Sequence, residues 1–282
     1  MGQSCAIQLD FRTPQGAPVP RVSQPAARTS RREDSDQVPV FRSKDSVCGE
    51  IKITPIPGRR VDHQGIHVQL IGEIELASDR GRPHEFLSLV RDLSPPGELT
   101  TQLSLPFAFE AIELAHENYL GLKVRLRYLV RVSVLRGLGS TVTRDFPVAV
   151  RNPVASPVAG PPIKMEVGIE DCLHIEFEYD RGAFSLGDVV VGRIYFLLVR
   201  VKIKHMEVEI KRRETVGAGA QARSESETVA KYEIMDGAPA RGEIIPIRLF
   251  LDPFDLTPSV ENVHNRFSVK YFLNLVLVDD ED

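Results

Sequence analysis

The sequence predicts an all-β protein built from two tandem β-sandwich domains that are joined by a short Pro-rich linker. Apolar and polar residues alternate through most of the chain, as they do in strands that bury one face and expose the other. The pattern Phe-x-x-x-Asp-x-Val-x-Gly-x-Ile occurs at residues 41–51 and again, 143 positions later, at residues 184–194. A repeat of this length is too long for a solenoid and indicates two copies of one domain.

Two shorter echoes keep the same order and nearly the same spacing. Residues 97–99 (Gly-Glu-Leu) return as 242–244 (Gly-Glu-Ile), and residues 126–128 (Leu-Arg-Tyr) return as 269–271 (Val-Lys-Tyr). Each match alone is weak, but three matches in one order support a duplication. In a duplicated scaffold we expect function at the edges, in the loops and where the copies meet.

Strands are predicted wherever apolar residues recur at every second position, most clearly at residues 68–76, 124–134, 173–179 and 267–277. The apolar phase flips between Ile203 and Met206, which predicts a turn or bulge at Lys204–His205. The only helix-like stretch covers residues 85–93 and ends at a Ser-Pro-Pro-Gly sequence. Antiparallel sandwiches are therefore the expected architecture.

Composition marks the boundaries of the predicted domains. Residues 153–163 are rich in Pro, which is unsuited to a central strand, and they are the predicted linker between domains 1–152 and 164–282. Residues 11–32 contain five Arg, four Pro and no acidic residue, so we expect a looped or disordered insertion in an Arg/Pro-rich segment that covers residues 11–41. Residues 217–226 are predicted to be a flexible hairpin tip.

Composition also argues against several classes of function. A formal net charge of −4 and a pI near 6.0 provide no basic field for nucleic acid. No apolar run approaches the roughly 18–20 residues of a membrane span, and no signal peptide opens the chain. Cys5, Cys48 and Cys172 are odd in number and widely spaced, so we expect free thiols in a cytosolic chain.

No pattern in the sequence indicates an enzyme, a cofactor or a metal site. The chain contains no Gly-rich phosphate loop, no Gly-x-Ser-x-Gly elbow and no His-Glu-x-x-His motif. His174 and His205 lie on predicted strands without a second ligand at a metal-like spacing. The acidic run at residues 279–282 is one segment rather than several converging loops, so we expect it to be solvated rather than to bind calcium.

Several long segments of the chain match one known family. They are residues 63–66, 84–86, 96–100, 124–128, 164–179, 195–200, 231–239 and 272–279. These segments closely resemble the arrestin-like small subunit of retromer, the vacuolar protein sorting-associated protein 26 family. The resemblance extends from Ser46 onward and implies two arrestin-like β-sandwiches. It also implies a non-enzymatic adaptor on the cytosolic face of endosomes, which sorts transmembrane cargo to the trans-Golgi network or the plasma membrane.

Two departures from the family pattern affect what can be carried over. Residues 11–41 are longer and richer in Arg and Pro than the family leads us to expect. The family also continues past the position of Asp282 into a further strand, so a surface that uses this strand is expected to be incomplete here.

The first candidate binding site precedes a turn signal. Ile234 and Met235 stand directly before Asp236-Gly237-Ala238-Pro239. The apolar pair could plug the end of the sandwich or bind a partner. Because adjacent residues of a strand face opposite ways, we expect at most one to point into the core unless the turn twists the chain. The resemblance implies that Ile234, Met235, Asp236 and Gly237 dock on the large α-solenoid subunit of retromer.

The second candidate site is the segment 163–167, which leaves the linker and enters the second domain. An open strand edge there could accept an extended peptide. The resemblance places Met165 and Val167 beside a sorting nexin, where they receive an apolar residue of a cargo tail. The alternative is that Met165 and Val167 only begin the strand that continues into residues 172–179.

Two further alternatives concern membranes. The Arg-rich residues 12–32 could attract an anionic membrane, and Met1–Ala6 resembles a myristoylation start with Ala6 where Ser or Thr is preferred. The alternative function is a stand-alone β-sandwich that binds a ligand, or binds membranes with calcium. For the adaptor, endosomal membrane contact is expected to be indirect, through its protein partners.

Overall fold

A computed structural model describes residues 4–23, 37–58, 60–79, 81–137, 140–152 and 160–279. The chain divides into two compact units, Met1–Pro153 and Val154–Asp282. Among the described residues the regular structure is β-strand, apart from short 3₁₀ turns such as Ala77–Asp79 and Gly219–Gln221. The predicted all-β sandwich fold is confirmed.

The first unit contains a three-stranded sheet in the order β1-β4-β9 and a seven-stranded sheet in the order β2-β3-β12-β11-β6-β7, with β10 paired to β11. The short strands β5 and β8 form a separate pair. The strands are β1 Cys5–Arg12, β2 Arg21–Ser23, β3 Gln37–Phe41, β4 Val47–Pro55, β5 Val61–His63, β6 Gly65–Leu76, β7 His84–Ser94, β8 Gly97–Leu99, β9 Leu103–Phe109, β10 Tyr119–Leu120, β11 Val124–Leu135 and β12 Thr141–Val150.

The second unit contains two four-stranded sheets, in the orders β13-β14-β15-β18 and β17-β16-β20-β19. Its core includes Phe196 and Ile194 from the first sheet and Met206 from the second. The strands are β13 Ile163–Ile169, β14 Leu173–Tyr179, β15 Val189–Val199, β16 Ile203–Val216, β17 Arg223–Asp236, β18 Ile244–Phe250, β19 Val260–Val263 and β20 Phe267–Asp279.

The two units repeat the same strand order. In the first unit β4 lies between β1 and β9, and in the second unit β15 lies between β14 and β18. The order β7-β6-β11-β10 likewise corresponds to β17-β16-β20-β19. The sequence repeat at residues 41–51 and 184–194 enters β4 and β15, and the echo at residues 126–128 and 269–271 lies in β11 and β20.

The repeated Asp, Val and Ile residues have the same physical role in both units. The Asp45 carboxylate accepts a hydrogen bond from the Arg42 backbone N–H at 2.8 Å, and the Asp188 carboxylate accepts one from Ser185 at 2.8 Å. Both carboxylates therefore hold a turn three residues upstream before the strand begins. The repeated Val and Ile are buried, as Val47, Val190, Ile51 and Ile194.

The repeated Gly is required by close packing. A Cβ atom added to Gly192 would lie 2.6 Å from the Glu178 backbone oxygen and 2.7 Å from the Tyr179 ring, closer than real Cβ contacts. A Cβ atom at Gly49 would collide in the same way with the backbone oxygen of Asp10. The neighbouring strand thus approaches β4 and β15 at a point where only Gly fits.

The structure corrects two local predictions. The helix-like residues 85–93 are strand β7, which pairs with β6 over most of its length. Their apolar residues are spaced as in a helix, but pairing with the long strand β6 satisfies the backbone there. The Arg/Pro-rich segment is not one loop, because β1 includes Phe11, which is buried, and Arg21–Ser23 form β2.

Other predictions have mixed outcomes. A register shift between Ile203 and His205 confirms the bulge at Lys204–His205. Strands β16 and β17 confirm the hairpin, but its tip is shorter than predicted because Arg223–Ser226 pair with β16. Residues 1–3, 24–36, 153–159 and 280–282 lie outside the described part of the chain, so the linker, the lipidation site and the acidic end remain predictions.

The repeated Gly gives a stability prediction. Replacing Gly192 with Ala should lower the free energy of unfolding of the second unit by about 1–3 kcal/mol, the usual cost of overpacking. Gly187→Ala is the matched control, because a Cβ atom at Gly187 would meet no atom within 4 Å. Urea unfolding of both variants measures the difference, and equal losses would contradict the close-packing explanation.

Candidate protein-interaction site

Strand β13 is an edge of its sheet and is exposed along its whole length. It pairs with β14 on one side, and each of its seven residues is exposed. An exposed edge presents unpaired backbone N–H and C=O groups, and these groups can bind an added strand. The predicted open edge at residues 163–167 is therefore present among the described residues of the second unit.

The apolar side chains of β13 lie on the same face of the sheet as the core residues of β14, but they are exposed. Met165 is opposite Phe177 in the register of β14, and Val167 is opposite Ile175, which is buried. Residues that are directly opposite point to the same face of a sheet. Even so, Met165 is 52% exposed and Val167 is 48% exposed. The two predicted residues thus form part of an apolar row that is not covered.

This row is longer than the sequence prediction. Ile163 and Ile169 share the face of Met165 and Val167 because side chains alternate along a strand, and both are exposed. The signal was available, since Ile163, Met165, Val167 and Ile169 alternate with Lys164, Glu166 and Gly168.

The opposite face of β13 carries charge. Lys164 Nζ lies 3.1 Å from Glu178 Oε2 of β14, and the Tyr195 hydroxyl donates a hydrogen bond of 3.0 Å to Glu178 Oε1. The bond from Lys164 is the main cause that lowers the pKa of Glu178, and the same bond raises the pKa of Lys164. The edge strand therefore has one apolar and one polar face.

His174 has ligand-type neighbours that its spacing along the sequence did not indicate. Its Nε2 atom lies 2.6 Å from Glu166 Oε1, and one potential ligand atom from each of Glu166, His174 and Glu176 lies within 4.8 Å of the others. Spacing along the chain did not show this group because Glu166 belongs to the neighbouring strand. Strand pairing combined with the His-x-Glu alternation would have found it.

Ile234 and Met235 lie at the end of β17 and are both half-buried. Met206 of β16 is opposite Met235 while Glu207 is opposite Glu233, so Ile234 is an extra residue in a β-bulge. The bulge breaks the alternation and brings both side chains against the core cluster. The structure therefore departs from the expectation that at most one of the two would face the core.

The turn after β17 presents polar and backbone groups. Asp236 is exposed, and Gly237 has a φ of 90°, a left-handed conformation that favours Gly. The Gly237 N–H donates a 2.7 Å hydrogen bond to the backbone oxygen of Lys204. β13 and β17 are edge strands of different sheets, so the two predicted sites are separate surfaces of the second unit.

The remaining candidate residues lie apart from these surfaces. His205 Nε2 lies 3.5 Å from Glu207 Oε1, a contact with one carboxylate. Burial raises the pKa of the Cys5 and Cys48 thiols, which disfavours their reactive thiolate forms. Cys172 is partly exposed and its thiol is free. Within the described residues, no helix has the length and apolar content needed to cross a bilayer.

Comparisons with known proteins agree along the chain. The profile of the family described as vacuolar protein sorting-associated protein 26 matches residues 1–282. Vacuolar protein sorting-associated protein 26A of Arabidopsis thaliana is 54% identical over 254 residues, which are 89% of this chain and 84% of that protein. Vacuolar protein sorting-associated protein 26 of Dictyostelium discoideum is 46% identical over 282 residues, which are all of this chain and 79% of that protein. Vacuolar protein sorting-associated protein 26B of Danio rerio is 49% identical over 248 residues, which are 88% of this chain and 75% of that protein.

His63 gives a prediction for the first unit. It is buried, and burial lowers its pKa, so the folded protein holds it neutral. The unfolded chain takes up a proton as the pH falls through about 6.5. Above about pH 6.5, His63 is neutral in both states and the first unit keeps its full stability. As the pH falls below this value, protonation of His63 in the unfolded chain lowers the free energy of unfolding. The melting temperature of the first unit should drop less between pH 7.5 and 5.5 in a His63→Gln variant, and an unchanged drop would contradict this assignment.

Proposed function

The chain belongs to the vacuolar protein sorting-associated protein 26 family, and we propose from this premise that it is the non-enzymatic small subunit of a retromer complex. In this role it sorts transmembrane cargo from endosomes to the trans-Golgi network or the plasma membrane. It acts from the cytoplasm, on the cytosolic face of endosomes, where its protein partners hold it at the membrane.

The observation that carries this proposal is the uncovered apolar row on the edge strand β13. An extended cargo tail can add to the edge as a further strand, with backbone hydrogen bonds that supply affinity. An apolar side chain of the tail then covers Met165 and Val167, which are about half exposed in the free chain. Selectivity follows because only alternate residues of the tail face this row.

A sorting nexin completes the cargo site in this proposal. The apolar row is exposed and one strand wide, so β13 alone offers a shallow surface to a tail. A second protein beside the row would enclose the apolar side chain of the tail and exclude water from it. Enclosure increases the apolar area removed from water, which favours binding by roughly 25 cal/mol per Å².

The large α-solenoid subunit docks at the end of β17. Ile234 and Met235 pack against the core with part of their surface, and the remaining part is accessible to a partner. Asp236 and Gly237 lie directly beyond them in an exposed turn, where Asp236 adds a charge that a basic partner residue can pair with. Met is suited to such a surface because its flexible side chain adapts to an irregular partner.

The cargo site is tested with a pair of matched Val variants. Val167→Asp places a charge in the apolar row, whereas Val191→Asp places one on the outer face of the same sheet, and the two Val side chains are 48% and 46% exposed. We expect Val167→Asp to weaken binding of a cargo-tail peptide, in the presence of a sorting nexin, by at least tenfold. That loss corresponds to about 1.4 kcal/mol.

In the same assay, the Val191→Asp variant should bind the tail as the wild-type chain does. Equal affinities for all three proteins would remove β13 as the cargo site and would leave the family membership unchanged. A uniform loss in both variants would indicate a general effect of the added charge and would also contradict the proposed site.

The solenoid dock is tested by co-purification from cell extract. The Ile234→Asp, Met235→Asn double variant should lose the solenoid subunit because it presents polar groups to an apolar partner surface. Since both residues also contact the core, Asp236→Arg supplies a second variant at an exposed position, with exposed Asp252→Arg as its control. Mass spectrometry should find the solenoid subunit with the wild-type chain and the control only. Retention by both test variants would remove this turn from the interface.

A further inference from the structure

Three side chains on the polar face of β13 and β14 form an arrangement with the chemistry of a metal site. His174 and Glu176 are two positions apart on β14 and therefore point to one face, and Glu166 of β13 is directly opposite Glu176. Ligand atoms of the three residues lie within 4.8 Å of one another. A cation placed among them would contact two carboxylates and one imidazole.

The electrostatics of the group favour a cation. Like charges directly opposite each other on paired strands are destabilising, and Glu166 and Glu176 are such a pair. The neighbouring Glu178 differs, because Lys164 and the Tyr195 hydroxyl bind its carboxylate. Within the described residues, Glu176 has no hydrogen-bond or ion-pair partner of this kind. The charge on Glu176 is thus less compensated than the charge on Glu178, while Glu166 contacts His174.

The geometry around His174 supports the same conclusion. Its Nε2 atom is enclosed and lies 2.6 Å from Glu166 Oε1, yet it makes no hydrogen bond with any described residue. Two acceptor atoms at this distance repel unless a proton or a metal ion lies between them. Gly168 is opposite His174, so no side chain from β13 blocks the imidazole as it leans toward Glu166.

We propose that Glu166, His174 and Glu176 bind a zinc-class divalent ion, with water completing the coordination. The imidazole decides the class of metal, because calcium and magnesium prefer all-oxygen ligands whereas zinc takes nitrogen and carboxylate ligands together. Since Glu166 lies on β13 and the other two ligands lie on β14, the ion would cross-link the edge strand to the sheet. This site is additional to the adaptor function and does not depend on it.

The test measures Zn²⁺ binding to the full chain by titration calorimetry. All proteins carry Cys172→Ser, because a partly exposed free thiol is an adventitious zinc ligand. We expect one zinc ion per chain. His174→Gln and Glu166→Gln should each lower the zinc affinity by more than about tenfold, because even residues that only support a metal ligand change the affinity by this much. Ca²⁺ at the same concentration should not compete.

Two variants serve as matched controls. His205→Gln removes another strand His, which contacts the Glu207 carboxylate, and Glu178→Gln removes the next carboxylate on the same face of β14. Both should keep the one-to-one zinc site. A second measurement, amide hydrogen exchange, should show that zinc slows exchange in β13 of the Cys172→Ser chain but not of the same chain with His174→Gln.

Three results would overturn the proposal. The first is the absence of a one-to-one zinc site in the Cys172→Ser chain, which would leave the 2.6 Å contact as one between His174 and Glu166 alone. The second is zinc binding of equal affinity in His174→Gln, which would place the ion elsewhere. The third is displacement of the zinc by Ca²⁺, which would indicate an all-oxygen site.

Discussion

The structure depends on one constraint, that a β-sheet with an apolar face must cover that face. In the second unit the cover is complete over Ile175 and Phe196 but ends before β13, where Met165 and Val167 continue the same face into solvent. Apolar surface left in water is unfavourable by roughly 25 cal/mol per Å². Another chain that covered the row would remove this apolar surface from water, which is the physical basis of the cargo site proposed for β13.

The residues repeated in the two units serve the packing that covers the sheets. Gly49 and Gly192 allow a neighbouring strand to approach closely, and Asp45 and Asp188 fix the turn before each strand. These residues maintain the scaffold in both units. The candidate binding residues differ from them, because β13 and the bulged end of β17 lie at sheet edges, where side chains are released from the packing of a central strand.

The sequence predicted features that depend on local pattern or on repetition. Alternation identified the strands, the phase flip identified the bulge at Lys204–His205, and the repeat identified two related domains. Features that depend on strand pairing were missed. Residues 85–93 carry a helix-like spacing that the long partner strand β6 overrides, and the bulge at Ile234 turns two adjacent side chains toward one core. Glu166 and His174 are eight positions apart in the chain, and only the register of β13 with β14 joins them.

The two faces of β13 are coupled through the backbone that they share. A peptide that adds to the edge needs β13 held flat and in register, yet the strand has a paired neighbour on one side only and ordering it costs conformational entropy. Two sets of side chains connect β13 to β14 on the polar face. One is the contact of Lys164 with Glu178, and the other is the group of Glu166, His174 and Glu176. Because these ties leave Met165 and Val167 free on the opposite face, the strand can be rigid and available to a partner at the same time.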